Sequence, residues 1–385
     1  MTAGKKPIII YGGSFDPPHR GHLALAAAAL RQLKPQTLYF VPGFHTPFKD
    51  FRPVPFAERR AMLQAALAAA GLNRPDVKIS SFEAGLKRVV YTYETVEHFR
   101  KLHPGSPLFF LLGSDCLGGF KEWRRWRSVL KSARLLAGLR PGYSLAAARG
   151  VPFTPLAGRF PRAASSDLRG ALFLGRRPPE LHGAVFARGR ARGLYFARER
   201  AVLEKILTPA RFRHSVETAA LAVELAPLLG IPAQKAAAAG LVHDCARDLS
   251  FTALKKYART RCRRAPFLGT MLKEAPVLLH AWAGAARARR LFGLRDAEIA
   301  EAIELHATGA PGMGPLARLI YVSDLAAAGR DFPEAKLVRK LAFRDFDAAF
   351  RAANYVKLTY AFSGGGWVHP LSVSLWNSLQ EKKKG

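Results

Sequence analysis

Gly12-Gly13-Ser14-Phe15-Asp16-Pro17-Pro18-His19-Arg20-Gly21-His22 follows directly on the apolar run Pro7–Tyr11 and leads into an Ala/Leu-rich segment. The order is strand, paired glycines, two histidines three positions apart, then helix. Glycine has no Cβ, so the backbone at Gly12 and Gly13 can approach a phosphate closely. The helix that follows offers unpaired N–H groups and the positive end of its dipole. His19 and His22 can donate to phosphate oxygens as charge develops on them. The stretch therefore predicts a phosphate-handling turn, lined by Gly12, Gly13, Ser14 and Phe15, at the carboxyl end of a first strand.

Working outward, short apolar runs alternate with helical patterns. Strands are expected at Pro7–Tyr11, Thr37–Val41, Val77–Ser80, Leu108–Leu112 and Arg134–Leu139. Helices are expected at His22–Lys34, Phe56–Ala70, Thr92–Leu102 and Ser166–Leu174. That alternation predicts an α/β, Rossmann-like domain with a mainly parallel sheet, whose ligands bind beyond the carboxyl ends of the strands. Gly142–Arg162 is basic and proline-bearing, and reads as an irregular surface loop. After about Tyr195 the pattern is helical: Arg198–Leu207, Arg211–Ala226, Pro232–Cys245, Asp296–His306 and Leu316–Ala326, with breaks at Pro209, Gly230-Ile231-Pro232 and Gly309–Pro315. The expectation is two domains, residues 1–196 and an all-α bundle over 197–385.

The chain has 385 residues and 49% hydrophobic content, enough for true cores. No apolar run approaches the roughly 20 residues of a membrane span. Three isolated cysteines, Cys116, Cys245 and Cys262, suit a reducing, cytoplasmic setting better than a disulfide framework. The formal net charge of +32 stands out, and residues 121–200 hold eighteen Lys/Arg against four Asp/Glu. A basic face gains affinity for nucleic acid by counterion release, and it also attracts small polyphosphates such as ATP. No nucleic-acid module is legible, so polyphosphate attraction or a solvated basic surface is preferred, with a nucleic-acid-binding protein kept as an alternative.

The opening turn resembles that of bacterial nicotinate mononucleotide adenylyltransferases, within the nucleotidylyltransferase superfamily. Further segments are similar to that family in order. Phe40-Val41-Pro42 with Pro47-Phe48-Lys49 resembles its substrate loop, Tyr91-Thr92-Tyr93-Glu94-Thr95 with the upstream Glu83 its nicotinate-binding region, and Gly113-Ser114-Asp115 its GxD element. Phe120, Trp123 and Trp126 resemble its F-x-x-W-x-x-W signature, and Ser165-Ser166-Asp167-Leu168-Arg169 its ISSTxIR element. The resemblance implies transfer of an adenylyl group from Mg²⁺-bound ATP to nicotinate mononucleotide. His19, His22, Lys49 and Arg169 would stabilise charge on the phosphates. Thr92 and Trp123 would meet the nicotinate, Asp115 a ribose, and Ser165 or Ser166 would cap a helix whose N–H groups face a phosphate.

In the second half, His243-Asp244 is flanked by His214, His280, His306 and Asp324, each ending or interrupting an apolar helical run. Imidazoles and carboxylates together suit iron, manganese or zinc, and a shared carboxylate can serve two ions. The order H…HD…H…H…D resembles the HD phosphohydrolase superfamily. The segments Leu241–Asp248, Pro276–His280, His306–Gly309, Tyr321–Asp324 and Val368-His369-Pro370 are similar to its YqeK-type branch of symmetrical diadenosine tetraphosphatases. That resemblance implies one ion held by His214, His243, Asp244 and Asp324, with Asp244 bridging to a second held by His280 and His306. Metal-assisted attack of water on a central phosphorus would release two ADP. Arg247 stands where that branch has a lysine, and Cys245 reads as a small core residue. The expectation is a bifunctional enzyme; the alternative is an adenylyltransferase whose HD module binds a nucleotide as a regulator or hydrolyses another one.

Overall fold

The computed structural model describes residues 5–44, 53–139 and 148–381. They form two compact units, one comprising the chain up to Leu172 with Arg176–Tyr195, the other Phe173–Gly175 with the chain from Phe196.

The first unit is a six-stranded sheet: β1 (Ile8–Gly13), β2 (Thr37–Pro42), β3 (Val77–Ile79), β4 (Leu108–Gly113), β5 (Arg134–Gly138) and β6 (Phe153–Leu156). The spatial order is β3-β2-β1-β4-β5-β6 and every pairing is parallel. Its helices are α1 (Arg20–Leu33), α2 (Phe56–Ala69), α3 (Phe82–Leu86), α4 (Thr92–Leu102), α5 (Ser114–Leu117), α6 (Trp126–Ser132), α7 (Ser165–Phe173) and α8 (Gly183–Ala191). Both faces of the sheet are covered, so the strands are apolar on alternate and intervening positions alike. Ile9, Tyr11, Leu38, Phe40 and Leu111 enter one core, while Ile8, Ile10, Val41, Leu108 and Phe110 enter the other. Strand order reverses between β1 and β4, which brings Gly12-Gly13 and Gly113-Ser114-Asp115 to one crevice.

The expected irregular loop over 142–162 is corrected in part. Phe153–Leu156 is β6, in parallel register with Leu135–Gly138. Pro155 sits inside it, which an edge strand tolerates because one side has no ladder to feed.

The second unit is all-α among the described residues: α9 (Ala197–Ile206), α10 (Pro209–Leu225), α11 (Ala233–Val242), α12 (Phe251–Arg261), α13 (Leu268–Glu274), α14 (Leu279–Phe292), α15 (Ala297–Leu305), α16 (Pro315–Ala326), α17 (Pro333–Ala342), α18 (Phe346–Ser363) and α19 (Pro370–Glu381). Local chemistry sets the ends. Pro209, Pro315 and Pro333 occupy first turns, where no N–H partner is lost. Asp296 and Asp345 accept backbone N–H groups as N-caps. The expected helix 232–245 ends at Val242, and the chain turns through 243–248.

The α10–α11 contact is the tightest helix crossing in this unit that a glycine makes possible. A Cβ on Gly240 would lie 2.6 Å from Ala219 Cα and 2.9 Å from its backbone nitrogen. Backbone cannot yield as a side-chain tip can, so Gly240→Ala is expected to destabilise this unit by about 1–3 kcal/mol. Gly366→Ala, where an added Cβ meets nothing, should stay within about 0.5 kcal/mol of the parent. Denaturant unfolding of the two variants checks the contrast.

Candidate active sites

In the first unit the turn after β1 is organised around a carboxylate taken fully out of water. Asp16 is 0% exposed. It accepts the Tyr195 hydroxyl at 2.6 Å and the Val54 N–H at 3.1 Å. Arg59, also buried, donates to the carbonyls of Ser14 and Gly43 at 2.6 Å each and of Val54 at 2.7 Å. One guanidinium thus ties the turn after β1 to the turn after β2.

His19 and His22 come together at the start of α1 with rings stacked 3.6 Å apart, and His22 Nδ1 accepts the His19 N–H at 3.2 Å. The stack sits at a helix N-terminus, beside the first N–H groups of α1. Gly12 and Gly13 end β1 under the Phe110 and Phe15 rings, which a Cβ would approach to 3.1 and 3.2 Å. Phe15 itself is core, packed edge-on against Tyr11, Phe40 and His22, so only its backbone can face a ligand.

The remaining expected residues divide. Thr92 opens α4 and Asp115 is exposed on α5, beyond β4. Trp123 is half-buried, edge-on to Phe110 and tilted against Phe120. Ser165 donates to the Pro17 carbonyl at 3.0 Å, and Arg169 donates to the Asp16 carbonyl at 2.6 Å. Both therefore brace the histidine turn. Ser166 bonds its neighbour Asp167 at 3.1 Å. Lys49 lies outside the described residues. Arg59, Asp16 and Tyr195 were missed from sequence; the buried Arg in Glu58-Arg59-Arg60 carries no local signal, since its partners lie far along the chain.

Glu83 accepts the Thr95 hydroxyl at 2.6 Å, tying α3 to α4. Burial raises its carboxyl to about 7, against the bond from Thr95 and the charge of Arg59 and with the help of Glu94. Between the ordinary value of 4.5 and about 7 the folded protein holds a proton that the unfolded chain has released. The contribution of Glu83 to the stability of this unit should therefore fall as pH rises through that window. Glu83→Gln should flatten the fall, as thermal unfolding at pH 5 and 7.5 would show; an unchanged slope would contradict it.

The second unit assembles all six expected ligands. His214 comes from α10, His243 and Asp244 from the end of α11, His280 from α14, His306 from the end of α15, and Asp324 from α16. Donor atoms of His214, His243 and Asp244 lie within 4.8 Å of one another, as do those of Asp244, His280 and His306. Asp244 is common to both sets. His214 Nε2 is 2.9 Å from Asp324 Oδ1, and His243 Nε2 is 3.7 Å from the same oxygen.

Three histidines share one arrangement. Nδ1 of His243, His280 and His306 bonds the carbonyl three residues earlier, that of Gly240, Val277 and Ile303. Donation from Nδ1 fixes the tautomer and turns the Nε2 lone pair inward. His243 Nε2 is buried with no hydrogen-bond partner, and the Nε2 atoms of His280 and His306 face each other at 3.0 Å. Two inward lone pairs and an orphaned third are repulsive on their own and suited to a cation. The carboxyl ends of α11 and α15 add the negative end of two helix dipoles.

Protonation agrees. Burial pushes His243 down to about 3 against the pull of Asp244, and it pushes His280 down as well. Burial alone would raise the Asp244 carboxyl, but His243, His280 and His306 outweigh it and hold it well below the usual range. Neutral His243 and His280 beside an ionised Asp244 are the metal-binding forms. Borderline nitrogen and carboxylate donors fit iron, manganese or zinc.

Three cations at this site were not expected from sequence. Arg211 Nη1 is 3.0 Å from Asp244 Oδ2, Arg330 Nη2 is 3.6 Å from Asp324 Oδ1, and Lys357 Nζ is 2.9 Å from Asp324 Oδ2 and 2.6 Å from the His306 carbonyl. A lysine inside the apolar run Tyr355-Val356-Lys357-Leu358 was the available signal. Arg247 lies 3.2 Å from His280 Nδ1, and the Cys245 thiol, pushed up to about 12 by burial, packs as a small core residue.

Residues 10–171 match the cytidylyltransferase-like family model, and residues 211–340 match the HD domain model. The probable nicotinate-nucleotide adenylyltransferase of Solibacter usitatus is 33% identical over 192 residues, which is 49% of this chain and 98% of that one. The chain belongs to the nicotinate-nucleotide adenylyltransferase family. Within that family it extends into a second domain. The probable nicotinate-nucleotide adenylyltransferase/Ap4A hydrolase of Mycoplasma pneumoniae is 29% identical over 318 residues, covering 82% of this chain and 87% of the relative. A solved structure described as a predicted HD superfamily hydrolase involved in NAD metabolism, from Clostridium acetobutylicum, is 28% identical, with a TM-score of 0.46, over 49% of this chain and 97% of that one. Among the described residues no helix is long and apolar enough to cross a membrane.

If the six ligands hold ions, the folded second unit gains stability by mass action. Manganese(II) added to chelator-treated protein at a hundredfold excess over Kd should stabilise it by about 2.7 kcal/mol for each ion bound. Asp244→Asn should abolish that gain. Thermal unfolding with and without the ion checks this, and an equal gain in the variant would contradict it.

Proposed function

We propose that this chain is a bifunctional cytoplasmic enzyme. Its first unit transfers adenylyl from ATP to nicotinate mononucleotide, giving nicotinate adenine dinucleotide and pyrophosphate. Its second unit cleaves diadenosine tetraphosphate symmetrically into two ADP. The observation that supports the reading is Asp244 shared by two clusters, one with His214 and His243 and one with His280 and His306, in a chain whose other half carries the stacked His19–His22 turn at the sheet's switch point.

In the transferase, the 5′-phosphate of the mononucleotide attacks the α-phosphorus of Mg²⁺-bound ATP in line, and pyrophosphate leaves. His19, His22 and the N–H groups of α1 stabilise the charge that builds on the phosphate oxygens. Arg169 and Ser165 hold the turn that carries these histidines, and Arg59 holds it from the other side. Lys49 is assigned a phosphate contact, Thr92 and Trp123 the nicotinate, and Asp115 a ribose. Gly12, Gly13, Ser14, Phe15 and Ser166 contribute backbone or hydroxyl groups around the phosphates.

In the hydrolase, His214, His243, Asp244 and Asp324 would hold one ion of iron, manganese or zinc, and Asp244, His280 and His306 a second. Bound there, such ions lower the pKa of water and polarise the phosphoryl group. The protein's part is to keep Asp244 ionised, to aim three Nε2 lone pairs inward and to restrict access of bulk water through burial.

The full chain should convert ATP and nicotinate mononucleotide to the dinucleotide, and His22→Ala should lower that rate on the order of 10²-fold or more while sparing the hydrolase. Loaded with iron(II) or manganese(II), it should turn diadenosine tetraphosphate into ADP alone, and Asp244→Ala should remove this while sparing transfer. Near-normal transfer in His22→Ala would contradict the first assignment. Absence of turnover with either ion would contradict the second and leave a nucleotide-binding HD module.

A further inference from the structure

A cavity of about 380 Å³ opens beside His214 in the second unit, lined by Arg211, Arg213, Arg330, Glu217 and Gly329 among others. Three guanidinium groups thus share one hollow with one carboxylate. That carboxylate is committed, because Glu217 accepts the Gly329 N–H at 2.9 Å. The approach is so close that a Cβ on Gly329 would stand 2.4 Å from the Glu217 oxygen.

The segment carrying Arg330 is held from a second side. Arg339 on α17 donates to the carbonyls of Ala326, Ala327 and Arg330. The four residues from Ala327 to Arg330, just after α16, are therefore held on both flanks, and Arg330 is presented at the cavity wall beside Asp324. Holding the backbone that carries Arg330 suits recognition of a ligand, since the segment need not be ordered on binding.

Charge balance within the protein does not account for all three arginines. Lys357 already pairs with Asp324, and Arg211 with Asp244. Arg213 is exposed and has no carboxylate partner among the described residues. An open cavity holding like charges is stabilised by an anion, and the guanidinium fork matches phosphate oxygens two at a time.

We propose that this cavity is a polyphosphate-binding site, in which Arg213 and Arg330 grip the phosphates beyond the point of cleavage and Arg211 is shared between Asp244 and the phosphate chain. It selects ligands carrying at least two linked phosphates over monophosphates. What is cleaved rests on the hydrolase reading above; the binding does not.

The test uses full-length, manganese-loaded protein and inorganic tripolyphosphate followed by titration calorimetry, with elemental analysis of the metal afterwards. Arg213→Met and Arg330→Met should each weaken binding in the second unit about ten-fold, the order expected for losing a charged hydrogen bond. The double variant should lose that binding step with metal content unchanged, and raise KM for diadenosine tetraphosphate. Arg289→Met, an exposed arginine on α14, should match the parent. Unaltered tripolyphosphate affinity in the double variant would overturn the proposal, as would a loss that tracks loss of metal. If the parent binds tripolyphosphate through these arginines yet leaves diadenosine tetraphosphate intact, the cavity stands and the hydrolase reading fails.

Discussion

Each unit is built around one carboxyl group removed from water, and the cost of leaving its oxygens without partners dictates its surroundings. A buried carboxyl group is tolerated only when its oxygens are met by donors or cations with good geometry. Asp16 in the first unit is met by the Tyr195 hydroxyl and the Val54 N–H, with Arg59 and Arg169 nearby on backbone carbonyls. Asp244 in the second is met by the Arg211 guanidinium at 3.0 Å, while imidazole Nε2 atoms from three segments stand 3.3–3.8 Å away and leave a place for a cation among them. In both cases the partners are drawn from distant parts of the chain, so satisfying the carboxyl group also fixes the site.

The two solutions serve different chemistry. Around Asp16 the two arginines hold backbone carbonyls and Tyr195 holds the carboxyl group itself, and the product is a braced turn that presents a stacked histidine pair at a helix N-terminus. Around Asp244 the partners are lone pairs and cations, and the product is a pair of ligand sets sharing one oxygen-bearing side chain. A polar network of the first kind is stable as it stands. The second kind, with His280 and His306 facing each other and His243 Nε2 orphaned, is a receptor for positive charge.

Much of this was legible in the sequence because the signals are local. The alternation of apolar runs marks five of the six strands, and the Gly12–His22 stretch marks the crevice at the carboxyl end of the first. The sixth strand was hidden by Pro155 and neighbouring basic residues, which only its edge position tolerates. All six candidate ligands were legible as a spaced series of His and Asp. Lys357 and Arg330 were not, because they meet Asp324 only after α16 and α18 pack or the following loop closes. Tyr195 escaped for the same reason, lying 179 positions from Asp16. The hydrogen bonds of Ser165 and Arg169 to the backbone of Pro17 and Asp16 are likewise invisible to spacing, because their partners lie about 150 positions away.

The central claim is that Asp244 joins two ion sites rather than completing one. Electron paramagnetic resonance of the manganese(II)-loaded chain during stepwise titration tests it most directly. Two ions sharing a carboxylate, about 3.5–4 Å apart in such sites, would show an exchange-coupled signal that appears with the second equivalent and vanishes in Asp244→Ala. An isolated six-line spectrum that saturates at one ion and never couples would contradict the account.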